Sequence, residues 1–91
     1  MKIVFDTESN GFRDSATRLW CLVAVNLESD KIYRFYDNPA EGDYPLELIP
    51  KFFKQVDFCC AHNLIGHDRP LLKKFYEVNI PIERCIDSGF L

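Results

Sequence analysis

The sequence contains no apolar run of the ~18 or more residues that a membrane-spanning helix needs. Residues 1–6 do not have the pattern of a signal peptide, because the apolar stretch is too short and Asp6 interrupts it. Linkers, internal repeats and low-complexity tracts are also missing. These absences indicate one small domain, residues 1–91, in the cytosol, with no membrane among its partners.

Positive charge is not in excess either: 11 Lys and Arg stand against 14 Asp and Glu, a net charge of −3. This argues against a protein that holds nucleic acid by bulk positive potential. It does not exclude a nuclease whose acids bind metal ions, since bound cations reverse the local sign of the potential.

The sequence has four cysteines but no CxxC pair. Three of them lie in apolar, strand-like runs and the fourth opens one, which predicts reduced thiols in the core of a cytosolic protein. A zinc site built from Cys59, Cys60 and His62 is the alternative. It is disfavoured because adjacent residues on a strand point to opposite faces.

Hydrophobic periodicity predicts an α/β domain with the element order β-β-β-α-β-α-β. The predicted strands cover residues 2–6, 19–27, 32–36, 56–61 and 84–87; the helices cover 45–55, with Pro50 inside, and a segment from Asp68 to about Val78. We expect strand 56–61 to be buried in the centre of the sheet, because it is almost continuously apolar. A three-stranded meander followed by alternating helices and strands implies a mixed sheet with helices packed on it.

Two acids end the first predicted strand. Asp6 and Glu8 are two residues apart, so their carboxylates can lie on one side of the strand. The same pattern is also compatible with an ordinary strand end that runs into a solvated turn, because Ser9 and Asn10 are common turn residues.

A third acid, Asp68, follows the apolar strand 56–61 and opens the second predicted helix. By position it can simply be a helix N-cap, with Pro70 tolerated in the first turn. However, the carboxyl ends of strands are where α/β sheets place their chemistry. In a mixed sheet with this order of elements, the first strand and strand 56–61 are expected to be neighbours, and their ends would bring Asp6, Glu8 and Asp68 close together. Such a cluster needs cations, and Mg²⁺ or Mn²⁺ suits its hard oxygen ligands.

In three ordered segments the sequence resembles the DEDD (DnaQ-like) superfamily of 3′–5′ exonucleases, most closely the proofreading domain of phage family A DNA polymerases. Residues 3–12 (IVFDTESNGF) are similar to the first exonuclease motif. His62-Asn63 followed by residues 68–72 (DRPLL) is similar to the second motif. Residues 85–88 (CIDS) are similar to the segment after it. The resemblance implies a ribonuclease H-like fold and a bacterial or phage-infected cytosol.

The resemblance also implies roles for individual residues in a two-metal hydrolysis at the 3′ end of single-stranded DNA. Asp6 would bridge both ions, Glu8 would bind the ion that activates water, and Asp68 would support the second ion. Contacts to the nucleic acid or organisation of the site are implied for a further set of residues: Thr7, Asn10, Phe12 and Asn63.

The chain departs from the family pattern in two places. His67 stands where the family usually has an aromatic residue, and the third motif, with its fourth carboxylate and general base, has no match. Asp87 matches a residue that is not the missing ligand. We therefore expect the fold to lack its final helix and the chain to have little nuclease activity alone.

A sheet without that helix is expected to form a homodimer or to bind a completing partner, such as the rest of a split polymerase. The alternative function is a non-catalytic protein with a nuclease fold that binds DNA or another protein. An ordinary α/β domain whose acids coincide by chance is a third interpretation.

Overall fold

The computed structural model describes residues 1–10, 19–62 and 67–87, which form an α/β fold. The strands are β1 (Lys2–Ser9), β2 (Leu19–Asn26), β3 (Ile32–Tyr36), β4 (Tyr44–Pro45), β5 (Phe58–Ala61) and β6 (Cys85–Asp87), and the helices are α1 (Ile49–Phe53) and α2 (Arg69–Tyr76). Single turns of 3₁₀ helix precede α1 at Leu46–Leu48 and β6 at Ile82–Arg84. No helix of the described residues is long and apolar enough to cross a membrane.

The six strands form one mixed sheet in the order β4-β3-β2-β1-β5-β6. Strands β1, β2 and β3 are antiparallel neighbours, whereas β5 runs parallel to both β1 and β6. The terminal amine of Met1 contacts the Asp57 carboxylate at 2.6 Å, next to the start of both β1 and β5. The predicted neighbourhood of the first strand and strand 56–61 is therefore confirmed.

Polar residues in the turn stabilise the hairpin between β2 and β3. The Asn26 side chain accepts a hydrogen bond from the backbone N–H of Glu28 at 2.9 Å. Asp30 adopts the left-handed conformation with φ of 61°, which a short polar side chain tolerates better than most. This turn returns the chain in the register that pairs Val25 with Ile32.

The predicted α/β class is confirmed, while several element boundaries differ. The short strand β4 lies where no strand was predicted, at the start of the predicted helix 45–55, and it pairs with β3. Helix α1 begins at Ile49, so Pro50 falls in the first turn, where its missing N–H costs no helical hydrogen bond. Helix α2 ends at Tyr76, before the predicted end near Val78, and the residue after it, Glu77, is left-handed with φ of 56°.

Both helices pack on one face of the sheet and form its core there. The ring of Phe5 meets Phe53 of α1 edge to face at 5.4 Å between centroids. Phe35 of β3 lies 5.1 Å from Phe52 and stacks on Tyr44 at 5.4 Å. The core also contains Ile3, Leu19, Leu22, Ala24, Leu46, Ile49, Cys59, Ala61, Leu72, Val78 and Ile80. The opposite face of the sheet carries no helix among the described residues.

Strand β5 is consequently buried on one face rather than on two. Cys59 and Ala61 are buried on the helix side, but Phe58 is 41% exposed and Cys60 is half-buried. The strand is internal to the sheet, as predicted, but it is buried on one face only, because an apolar run does not reveal that both described helices cover the same side.

The four cysteines are free thiols, but only Cys59 is buried. Burial raises the pKa of Cys59 to about 12, so this thiol stays protonated. Alternation along β5 places Cys59 and Cys60 on opposite faces, as expected for side chains that do not share a metal ion.

Candidate carboxylate site

The candidate site lies where β1, β5 and β6 reach their carboxyl ends. The parallel register pairs Ile3 with Cys59 and Val4 with Cys60, so Asp6 lies just beyond the last paired residues of β5. On the other side of β5, Asp87 pairs with Ala61. Parallel strands end at the same edge, and the topology therefore brings three chain segments together here.

Asp6 and Glu8 lie on the face of the sheet that carries no helix among the described residues, which we call the open face. Burial alternates along β1, so that Phe5 and Thr7 are buried while Asp6 and Glu8 are exposed. Their spacing thus places both carboxylates on one side, as the period of a strand requires. The Oδ1 atom of Asp6 also accepts a hydrogen bond from the backbone N–H of Thr7 at 3.0 Å.

Asp68 lies on the opposite, helix-covered side and is almost completely buried, with 1% of its surface exposed. It occupies the N-cap position of α2, yet its side chain makes no capping hydrogen bond. Instead, the Thr7 hydroxyl donates to Oδ1 of Asp68 at 2.5 Å. The second carboxylate oxygen, Oδ2, has no hydrogen-bond partner among the described residues. Capping therefore does not explain this carboxylate.

The surroundings of Asp68 raise its pKa from 3.8 to about 6. Burial is the main cause, since an ionised carboxylate loses its hydration there. The hydrogen bond from Thr7 lowers the pKa, and His62 lowers it as well, whereas the carboxylates of Asp6 and Asp87 raise it. At neutral pH the group is mostly ionised, and its Oδ2 is buried with no hydrogen-bond partner among the described residues.

A divalent cation would supply that compensation, and hard carboxylate oxygens are suitable donors for Mg²⁺ or Mn²⁺. The unpaired Oδ2 of Asp68 fits such an ion. Among the described residues, however, no group of three or more His, Cys, Asp or Glu side chains is arranged to hold a metal. Strand alternation is the reason: it points Thr7, rather than Asp6 or Glu8, toward Asp68.

Of the four residues expected to contact nucleic acid, the structure describes Thr7 and Asn10. The Thr7 side chain is 6% exposed and directed to Asp68, so its hydroxyl is occupied within the protein. Asn10 is exposed just after β1. Phe12 and Asn63 lie outside the described residues. A nucleic-acid contact by any of these four residues stays a prediction.

Two features of the site were not found from the sequence. Thr7 was not predicted to hold Asp68, although its place between two outward-pointing acids directs it inward. Asp87 was disfavoured as a replacement for the missing ligand, yet it is 7% exposed and close enough to raise the pKa of Asp68. Its position at the end of the strand next to β5 was the signal available.

Comparison with known proteins adds no relatives: the chain matches no protein-family model and no curated protein.

Proposed function

We propose that this chain carries the first two carboxylate segments of a two-metal 3′–5′ exonuclease domain of the phage DNA polymerase type, with a ribonuclease H-like fold. The observation that supports the proposal is the buried Asp68 carboxylate, whose Oδ2 is unpaired at the sheet edge where Asp6 also lies. The mixed sheet, with β1 between β2 and β5, is compatible with that fold.

The unpaired oxygen matters because such groups are rare and costly. Leaving a buried polar group without a partner costs roughly 1–3 kcal/mol, and more when the group is charged. A fold that had no use for the charge would be more stable with an apolar or amide side chain at position 68. We therefore attribute the acid at position 68 to a ligand that neutralises it.

Each carboxylate has a separate role in this proposal. Asp6 and Glu8 present exposed oxygens on the open face, and Asp68 presents its free oxygen from the helix side of the same edge. In two-metal sites the bound ions activate water and stabilise the charge on the leaving oxygen. Thr7 fixes the orientation of Asp68 by its hydrogen bond.

The number of donors limits what the chain does by itself. Because no three such side chains converge in the described parts of the chain, we expect weak metal binding and little 3′-nucleotide release. A complete site would need a further carboxylate besides Asp6, Glu8 and Asp68. The same observation favours the second candidate function, a non-catalytic protein with this fold that binds DNA or a protein partner.

The test is release of a 3′ label from single-stranded DNA in Mg²⁺ and in Mn²⁺, with the wild type, Asp6→Ala and Glu41→Ala compared. Glu41 is an exposed loop acid away from the site and serves as the control. Slow, metal-dependent release that Asp6→Ala abolishes and Glu41→Ala preserves supports an exonuclease. Release at the same rate in all three proteins, or only without metal, overturns the proposal. Saturable DNA binding without release favours the second candidate.

A further inference from the structure

The open face of the sheet carries a straight row of apolar side chains across five strands. The strand registers pair Ile32 with Val25, Val25 with Val4, Val4 with Cys60, and Cys60 with Ile86. Paired residues on neighbouring strands point to the same face, and the five side chains therefore stand side by side. We call these five residues the apolar row.

The apolar row is substantially exposed to solvent. Ile32, Val4 and Ile86 are 45%, 37% and 47% exposed, and Val25 and Cys60 are half-buried. Phe58, beside the row on β5, is 41% exposed. Apolar surface that is continuous over five strands differs from scattered exposed residues and usually marks an interface.

Opposite charges flank the row at equal distances. On β1, Lys2 lies two residues before Val4 and Asp6 lies two residues after it, and all three side chains are exposed. Two residues of a strand span ~6.6 Å, so each charge stands about that far from the row. On β3, Arg34 likewise lies two residues after Ile32 and is exposed.

This arrangement is complementary to itself under a twofold rotation about an axis that runs along the row. The rotation places each strand over its own copy, antiparallel, and keeps the apolar row over the apolar row. It also exchanges the two sides of the row, so Lys2 of one copy faces Asp6 of the other, and Asp6 faces Lys2. Interfaces with this symmetry use the same patch on both subunits.

We propose that the open face of the sheet binds the open face of a second copy of this chain, with the two apolar rows stacked and two Lys2–Asp6 pairs beside them. Sheets pack face to face at a distance of ~10 Å, which the side chains of the row can fill. The charge pattern selects a second copy, because a partner without a matching acid and base would leave Lys2 and Asp6 unpaired at the interface.

The size of the patch sets the expected affinity. Five strands ~4.8 Å apart and five residues of strand length give a patch of roughly 20 Å by 15 Å on each copy. Two such patches cover roughly 600 Å² in total, which is less than a standard-size interface and typical of weak contacts. The dimer is therefore weak, with a dissociation constant on the order of tens of micromolar.

The dimer does not depend on the proposed nuclease function. It uses the row and its flanking charges, and it forms without metal. A cation on Asp6 removes the negative charge that Lys2 of the second copy would face, so the dimer and a metal-loaded site are competing states.

The first experiment is sedimentation velocity in EDTA at total protein from ~1 µM to ~500 µM, a range that brackets the expected dissociation constant. We expect the mass to rise from one chain to two in the wild type. Val4→Asp places a charge at the centre of the row and is expected to keep the protein monomeric. Leu48→Asp, at an apolar residue 39% exposed outside the row, is the matched control and should dimerise like the wild type.

Ile32→Asp repeats the test on another strand, and circular dichroism shows which variants fold. A wild type that is monomeric throughout overturns the proposal. Dimers that persist in both folded row variants overturn it too, because the contact then lies elsewhere.

A charge exchange tests the twofold arrangement. Lys2→Asp and Asp6→Lys each put like charges opposite one another, so each should weaken the dimer about tenfold. The double variant restores opposite charges and should return the dissociation constant to near that of the wild type. If the free energy of dimerisation lost in the double variant equals the sum of the losses in the two single variants, the rows are not stacked in this register.

Discussion

Replacing Asp68 by asparagine removes the charge of the buried carboxylate and changes its shape very little. In the wild type, burial and the neighbouring carboxylates raise the pKa of Asp68 from 3.8 to about 6. The folded protein therefore holds this proton more tightly than the unfolded chain does. Its stability is highest, with respect to this group, below pH ~4 and decreases as the pH rises through about 6.

The size of the effect follows from the change in proton affinity. Since one pKa unit corresponds to ~1.4 kcal/mol, the rise from 3.8 to about 6 corresponds to a loss of ~3 kcal/mol at neutral pH. Asp68→Asn avoids this loss and can still accept the Thr7 hydrogen bond through its amide oxygen. We expect the variant to be more stable than the wild type by ~1–3 kcal/mol at pH ~7 in EDTA, with the difference disappearing near pH ~4.

The assay is urea unfolding of both proteins at several pH values, followed by circular dichroism. Comparing the two proteins at each pH cancels the contributions of other titrating groups, such as Asp57, whose pKa is lowered by the terminal amine. A variant that is less stable than the wild type at neutral pH, or a difference that does not change with pH, would refute the reasoning.

Three further results are expected. Thr7→Val leaves Oδ1 of Asp68 without its donor and should destabilise the protein by ~1–3 kcal/mol at pH ~7. Thr7→Ser keeps the hydroxyl and should destabilise the protein clearly less in the same unfolding assay. Equal losses of stability in the two variants would contradict the role of the hydrogen bond. Phe35→Ala removes a ring that is 2% exposed and packs on Phe52 and Tyr44. The free energy of unfolding from urea denaturation should therefore fall by ~3–5 kcal/mol, and a loss below ~1 kcal/mol would show that the core is arranged differently. Millimolar Mg²⁺ should raise the dissociation constant of the dimer several-fold beyond the effect of an equal ionic strength of NaCl, and identical effects of the two salts would contradict competition at Asp6.

The sheet could be predicted from the sequence where the pattern is local. Alternation along β1 and the hairpin turn before Ile32 define their elements within a few residues. The neighbourhood of β1 and β5 followed from the order of the elements. Strand β4 could not be predicted, because two residues carry no periodicity and the strand exists only through its pairing with β3.

The acids of the candidate site could be picked out from the sequence, but their positions relative to one another could not. The sequence places Asp6 and Glu8 on one face by their spacing alone. It does not reveal that Asp68 approaches from the other face and meets Thr7, since this depends on how α2 packs across the sheet edge. The strand pattern did not show the extent of the open face either: an apolar strand such as β5 does not tell whether one or both of its sides are covered.

The most direct test of the central claim, that the Asp68 carboxylate is a cation ligand, is a titration with Mn²⁺ in which free ion is counted by electron paramagnetic resonance. Wild type, Asp68→Asn and Glu41→Ala are compared at pH ~7, above the pKa of about 6. We expect saturable binding in the wild type and in Glu41→Ala, and binding at least ~10-fold weaker in Asp68→Asn, because losing a metal ligand or its support costs that much or more. Equal binding by all three proteins would contradict the claim.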